Sequence, residues 1–217
     1  MKIKWLGHAS FVLTSASGTR VLTDPYRSGA FGGAVKYRPI KESVDVVTIS
    51  HDHDDHNCVD GLPEGFETVT GPGEHEVAGL AITGVKTFHD AHQGKERGRN
   101  VAFVIEIDGV RVAHLGDLGH ALGPEQAKAL GRVDVLLIPV GGHFTLEPKD
   151  AVAVVRSLRP SVVCPMHYKN ESIDFPVKPV EDFLSLAGKH EKPGSSEIEI
   201  KAENLGGQRV IVLEHAL

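Results

Sequence analysis

Short apolar runs separated by glycine, proline and small polar residues fill the first half of the chain, and helix-period patterns come later. Residues 3–6, 11–13 and 20–23 read as strands, and Ser17-Gly18 marks a turn that makes the last two a hairpin. Residues 44–50 (VDVVTIS) form a β-branched run buried on both faces. Further strands are expected near Thr68 and over residues 81–88, 101–107 and 110–115. Asp108-Gly109 between the last pair is the strongest hairpin signal in the chain. Helices are expected at Pro124–Leu130, at 147–158 and at Val180–Ala187. The second of these puts apolar residues 151, 152, 154, 155 and 158 on one face, with Pro148 near its start and Pro160 beyond its end. Residues 198–200 and 209–213 close the chain as strands. No linker-like or low-complexity segment divides residues 1–217, so a single domain is expected.

An internal repeat runs through this pattern. Gly18-Thr19-Arg20-Val21-Leu22-Thr23-Asp24 resembles Gly109-Val110-Arg111-Val112-Ala113-His114, and each leads to an aspartate, Asp24 or Asp117. Residues 44–49 (VDVVTI) resemble 133–138 (VDVLLI), and the two offsets are 91 and 89 residues. Each half then carries a hairpin, a connection, a buried strand and a loop. That suits a pseudo-symmetric α/β sandwich with its site where the halves meet. Chance likeness among strands rich in Val, Ile and Leu is the competing explanation.

Composition narrows the class. A chain of 217 residues that is 41% hydrophobic and 24% charged has ordinary globular usage, which excludes disorder, collagen and coiled coil. A net charge of −6 argues against broad binding to phosphate backbones, so no nucleic-acid partner is expected. Lys95-Glu96-Arg97-Gly98-Arg99 is the best local basic patch, offering a phosphate or carboxylate grip from Lys95, Arg97 or Arg99. A solvated turn is the simpler reading of it. No apolar stretch approaches the roughly 18 residues of a membrane span, and no signal peptide is evident. Cys58 and Cys164 make no disulfide framework and fit a reducing compartment, so a cytoplasmic protein is expected. Histidine is the outlier, with 13 residues against 8 Phe, 3 Tyr and 1 Trp. It ligates metals and moves protons near neutral pH.

The histidines concentrate at Ser50-His51-Asp52-His53-Asp54-Asp55-His56, directly after a buried strand. Extended backbone sends i and i+2 to the same face, so His51 and His53 can grip one ion, while Asp55 and His56 can face a second position. Imidazole and carboxylate suit Zn²⁺ and its neighbours. The bland alternative is a solvated acidic turn. His89, His114 and His167 each stand at a strand end, and His92 lies three residues beyond His89. Several strand ends that each deliver a polar group are how an open α/β sheet builds a site.

His51-x-His53-x-Asp55-His56 resembles the H-x-H-x-D-H signature of the metallo-β-lactamase-fold hydrolases. Trp5-Leu6-Gly7-His8-Ala9-Ser10-Phe11, Thr23-Asp24-Pro25, Phe88-His89-Asp90, Arg97-Gly98-Arg99-Asn100, His114-Leu115-Gly116-Asp117 and Pro165-Met166-His167-Tyr168 are similar to motifs of one branch. That branch includes ascorbate-6-phosphate lactonase-like proteins. The resemblance implies an αββα four-layer sandwich with pseudo-twofold halves and a site along one edge of the paired sheets. It also implies two divalent ions, with zinc favoured and manganese or iron open. His51, His53 and His89 would hold the first ion. Asp55, His56 and His167 would hold the second, with Asp117 bridging them. His89 matches the branch pattern better than His92. His8, His114 and His143 fit around the cleft as substrate contacts or supports, and His120 stays unassigned.

The chemistry implied is hydrolysis of a small ester, lactone or phosphorylated metabolite by a metal-bound hydroxide, with Asp55 orienting it or carrying a proton. A phosphodiesterase or nuclease of the same fold is the alternative, and a non-hydrolytic metal-binding metabolite sensor is another. Relatives of this branch assemble into oligomers, an option the sequence leaves open.

Overall fold

The N-terminal strands are apolar on both faces because both faces are covered. In the computed structural model, which describes residues 1–217, β1 (Lys2–Gly7), β2 (Ser10–Thr14), β3 (Arg20–Thr23), β4 (Val46–Ile49), β5 (Glu67–Thr70) and β13 (Glu197–Glu199) form one sheet. Its strand order is β13-β1-β2-β3-β4-β5. Ile3, Trp5, Phe11, Leu13, Val21 and Val46 enter the larger apolar core, whereas Leu6, Val12, Leu22 and Val47 join a second cluster. Alternation along extended backbone separates the two sets. Residues 24–44 cover that second face with Tyr26, Val35, Tyr37, Ile40 and Val44. They do so mostly as coil, with one four-residue turn, α1 (Ala30–Gly33), in place of long helices.

The second sheet has eight strands in the order β12-β14-β11-β10-β9-β8-β7-β6. They are β6 (Gly73–Val77), β7 (Leu80–Phe88), β8 (Arg99–Ile107), β9 (Val110–His114), β10 (Val135–Pro139), β11 (Val162–Met166), β12 (His190–Glu191) and β14 (Arg209–Ile211). Every residue of β10 and β11 is buried, as expected of parallel strands packed on both faces. α3 (Pro148–Leu158) packs on β10 and on α4 (Val180–Ala187), and α2 (Pro124–Leu130) packs on β7. α3 buries Ala151, Val152, Val154 and Val155, and each valine contributes roughly 1.5–3 kcal/mol. β6 escaped the sequence pattern because only Val77 of its five residues is buried. No helix is long and apolar enough to cross a membrane.

The repeat is real in topology. β1 to β5 pair antiparallel, antiparallel, parallel, parallel, and β7 to β11 do the same. The equivalence reaches single hydrogen bonds. Asp45 donates its amide to Arg20 O (2.9 Å) and accepts from Arg20 N (2.7 Å). Asp134 does the same with Arg111, at 2.9 and 2.8 Å. In each half the carboxyl ends of the parallel strands point to one edge of the sandwich, and the polar residues collect there.

Candidate metal centre

Five strand ends deliver the centre. β4 runs into the loop carrying His51, His53, Asp55 and His56; β7 ends before His89; β9 leads to Asp117; β11 ends before His167; β1 ends before His8. Asp117 is the hub. Its Oδ2 lies 3.1 Å from His89 Nε2, 3.2 Å from His56 Nε2, 3.3 Å from His167 Nε2 and 3.9 Å from His51 Nε2. Two groups of donors flank it. His51, His53 and His89 converge on one side, with His51 Nε2 and His53 Nδ1 3.0 Å apart. Asp55, His56 and His167 converge on the other, joined by His8, whose Nε2 lies 3.0 Å from Asp55 Oδ2.

Two of the rings, His51 and His56, are held from behind. Buried Asp24 accepts Ser50 N–H on Oδ1 (2.8 Å), and on Oδ2 it accepts both the Ser50 hydroxyl (2.5 Å) and His56 Nδ1–H (2.9 Å). Ser50 Oγ in turn lies 2.9 Å from His51 Nδ1. These contacts engage Nδ1 of His51 and His56 and aim their Nε2 atoms at Asp117, the arrangement that orients imidazole for a cation. Asn100 fixes the turn before Asp117, accepting its amide (3.0 Å) and donating to Leu115 O (2.9 Å) and Thr87 Oγ1 (2.7 Å). Gly116 fits between them at φ 54°, where a Cβ would stand 2.5 Å from Asn100 Oδ1 and 2.6 Å from Ser50 Cβ. His8, Asp24 and His167 are also left-handed, at φ 51°, 39° and 53°. Such strain costs of order 1–3 kcal/mol per residue and gathers at functional sites. His167 N–H donates to His8 O at 3.2 Å, tying the two sheets together behind the centre.

Electrostatics point the same way. Burial raises the Asp117 carboxyl, but His167, His56 and His89 outweigh it and hold the group well below the carboxylate range. Burial lowers His56, yet Asp117 and Asp55 carry it well above its ordinary value. Burial, then the neighbouring His56, pushes His51 down to about 3; burial, then His167, pushes His8 down to about 4. Carboxylates that draw protons onto His56 and His89 while burial keeps His51 and His8 neutral make a site that attracts positive charge. Buried His56 Nε2 and Asp117 Oδ1 have no hydrogen-bond partner. Oxygen and imidazole donors left unpaired at this density fit a divalent cation.

The remaining residues sort plainly. His89 joins the cluster, while His92 is exposed and bonds Glu96. His114 is buried but turns away: it bonds Ala9 O (2.8 Å) and accepts Gly116 N–H (3.3 Å). It therefore supports the turn before Asp117. His143 is exposed and outside the cluster, its ring 4.4 Å from that of Phe144. His120 accepts the Phe88 amide. Within the basic patch, Arg97 turns into the pocket before the centre, whereas Lys95 and Arg99 are exposed. Asp24, Ser50 and Asn100 were missed as supports, as were Phe31, Phe144 and Phe175, which line that pocket. Asp24 carried two signals, the repeat that sets it opposite Asp117 and its place in the Thr23-Asp24-Pro25 motif.

The family model of the beta-lactamase superfamily domain matches residues 2–167. Fold, match and clustered donors together define a metal-dependent hydrolase of the metallo-β-lactamase superfamily. A solved Thermotoga maritima structure, a candidate Zn-dependent hydrolase of that superfamily, is 39% identical with a TM-score of 0.82, covering 98% of each chain. The UPF0173 metal-dependent hydrolase of Thermococcus onnurineus is 33% identical over 193 residues, covering 77% of this chain and 84% of its own. That of Archaeoglobus fulgidus is 32% identical over 213 residues, covering 84% and 89%. The chain belongs to the UPF0173 metal-dependent hydrolase family.

Proposed function

We propose that this protein hydrolyses a small ester, lactone or phosphorylated metabolite at a dinuclear centre. The reading rests on one observation: four imidazole Nε2 atoms reach within 3.9 Å of a single buried carboxylate oxygen, Asp117 Oδ2. His51, His53 and His89 would hold one ion, and Asp55, His56 and His167 the other, with Asp117 available to both. Zinc is the favoured metal. When bound, divalent ions here lower the pKa of a coordinated water and polarise the bond to be cleaved. Asp55 Oδ2, held 3.0 Å from His8 Nε2, stands where it can accept a proton from the attacking water and pass it to the leaving group. His8 keeps that carboxylate oriented. The likeness of the sequence motifs to ascorbate-6-phosphate lactonase-like proteins supports lactone or phosphorylated substrates. The pocket before the centre encloses about 290 Å³, suited to a small molecule.

The test is metal content by mass spectrometry, together with turnover of lactone, ester, phosphomonoester and phosphodiester panels before and after chelation. Two ions per chain, with chelation abolishing turnover of a small substrate and one metal restoring it, is the expected result. Turnover that survives complete removal of metal refutes the reading. Activity confined to nucleic acid moves it to the nuclease alternative, and full metal without turnover moves it to a sensor.

A further inference from the structure

The part of the pocket that the metal donors do not line is built differently from the rest of the cleft. It comprises the rings of Phe31, Phe144 and Phe175 and the guanidinium of Arg97, the only Arg or Lys lining the pocket. Each comes from a different loop. Phe175 sits in the middle, with Phe31 and Phe144 edge-on to it at 5.5 and 5.7 Å between centroids. Arg97 lies over Phe144, 5.7 Å from the ring centroid.

Two features of this wall exceed what packing of the fold requires. Phe31 is 55% exposed, and it stands in a left-handed turn with φ 52° beside Gly32 (φ 67°) and Gly33 (φ 92°). Its one aromatic contact is Phe175, so more than half of an apolar ring is held out to solvent in strained backbone, and strain of this kind gathers at ligand sites. Arg97 is the second feature. Its loop is fastened by Asp90, which accepts the backbone amides of His92, Gly94, Glu96 and Arg97 at 2.7–3.0 Å. The guanidinium's one carboxylate neighbour is Glu96, at 3.5 Å, and Glu96 is already held by His92 at 2.6 Å. The loop thus presents a positioned cation with free N–H donors to the pocket.

We propose that Phe31, Phe144, Phe175 and Arg97 form the substrate-recognition wall, and that they select a compact compound with an apolar, aryl-sized body and one anionic group. This rests on reading the pocket as the hydrolytic site and names the class of substrate it takes. The apolar body lies among the three rings, Phe31 closes over it, and Arg97 pairs with the anion. A pocket of 290 Å³ holds about ten water volumes, enough for one fused ring system with a short acid chain.

The test is calorimetric titration of the full-length protein, with and without metal, using 1-naphthylacetate, its neutral isostere 2-(1-naphthyl)ethanol, and acetate. The expected order of affinity is naphthylacetate, then naphthylethanol, then acetate. Arg97→Gln weakens naphthylacetate about tenfold and leaves naphthylethanol within about twofold, while Arg97→Lys recovers part of the loss. Phe31→Ala weakens both aromatic probes about threefold or more and leaves acetate unchanged. The wall is refuted if acetate binds as tightly as naphthylacetate, or if the substitutions shift all three probes alike. Metal content of the same samples is read separately. Absent metal with these selectivities intact overturns the hydrolase reading and leaves the wall standing; full metal and turnover without them overturns the wall alone.

Discussion

Asp24→Asn separates a residue that aims the ligands from one that binds metal. The native carboxylate takes three donors, from Ser50 N, Ser50 Oγ and His56 Nδ1, at 2.8, 2.5 and 2.9 Å. Asparagine keeps the shape, and its one oxygen can retain the Ser50 amide. Its –NH₂ then faces the Ser50 hydroxyl and His56 Nδ1. The hydroxyl can rotate to accept, but His56 can accept only by moving its own proton to Nε2. That fixes an N–H on Nε2, 3.2 Å from Asp117, where a bound cation needs a lone pair. The fold loses little, because every donor finds a partner; lost charge assistance amounts to about 1–3 kcal/mol. The metal loses more, since a supporting contact of this kind is worth about 10–100-fold in affinity. Zn²⁺ titrated against a chromophoric chelator reads the affinity, urea unfolding reads the stability, and nitrogen NMR of the imidazoles reads the His56 tautomer. Asp24→Asn with native Zn²⁺ affinity, or with His56 still protonated on Nδ1, refutes the argument. Equal losses of stability and affinity in metal-free and metal-loaded protein would make Asp24 merely structural.

Three further outcomes follow from the same geometry. His89→Ala lowers the zinc stoichiometry toward one per chain and His167→Ala does so at the other position; elemental analysis that finds either variant at full occupancy contradicts the ligand assignment. Metal-free protein is most stable near pH 6.5. Burial depresses His8 to about 4 and His51 to about 3, so the unfolded chain binds more protons than the folded one between those values and 6.5, and stability falls as pH drops through that window. His56 and His89 are raised, so their contribution is complete below 6.5 and is lost as pH climbs through their folded values. Urea midpoints that rise steadily from pH 4.5 to 8.5 after chelation contradict this balance. Finally, Cys164 is buried and its thiol is pushed up to about 12, while Cys58 is partly exposed, so a thiol reagent at pH 8 labels one cysteine natively and two after denaturation.

The elements with a strong period were legible. The Asp108-Gly109 turn joins β8 and β9 with φ values of 51° and 74°, the left-handed pair such a hairpin demands. α3 and α4 fall where their apolar faces put them. The layer on the outer face of the first sheet was not legible: residues 24–44 bury Tyr26, Val35, Tyr37, Ile40 and Val44 one at a time, without a helical or strand period. The histidine cluster was legible because its ligands are contiguous. Its supports were not, because a buried Asp24 or Asn100 has no local pattern; each earns its place through partners 13 to 32 residues away. The recognition wall was hidden for the same reason, since Phe31, Arg97, Phe144 and Phe175 meet only in space.

The repeat relates four of the residues around the centre in two pairs. Topology makes β1 equivalent to β7 and β3 equivalent to β9, so His8 corresponds to His89 and Asp24 to Asp117. In both halves the histidine follows the first strand and the aspartate follows the third. Both aspartates contact His56, on opposite ring nitrogens: Asp24 at Nδ1 (2.9 Å) and Asp117 at Nε2 (3.2 Å). One imidazole thus lies across the pseudo-symmetric pair. What distinguishes the two aspartates is access. Both oxygens of Asp24 are engaged, by Ser50 and His56, and the residue is closed to solvent, so it orients the ligands; Asp117 keeps Oδ1 unpaired and lines the pocket, so it can take a cation. The loop after β4 therefore sets the division of labour, because its Ser50 and His56 engage both oxygens of one carboxylate while Oδ1 of the other stays free.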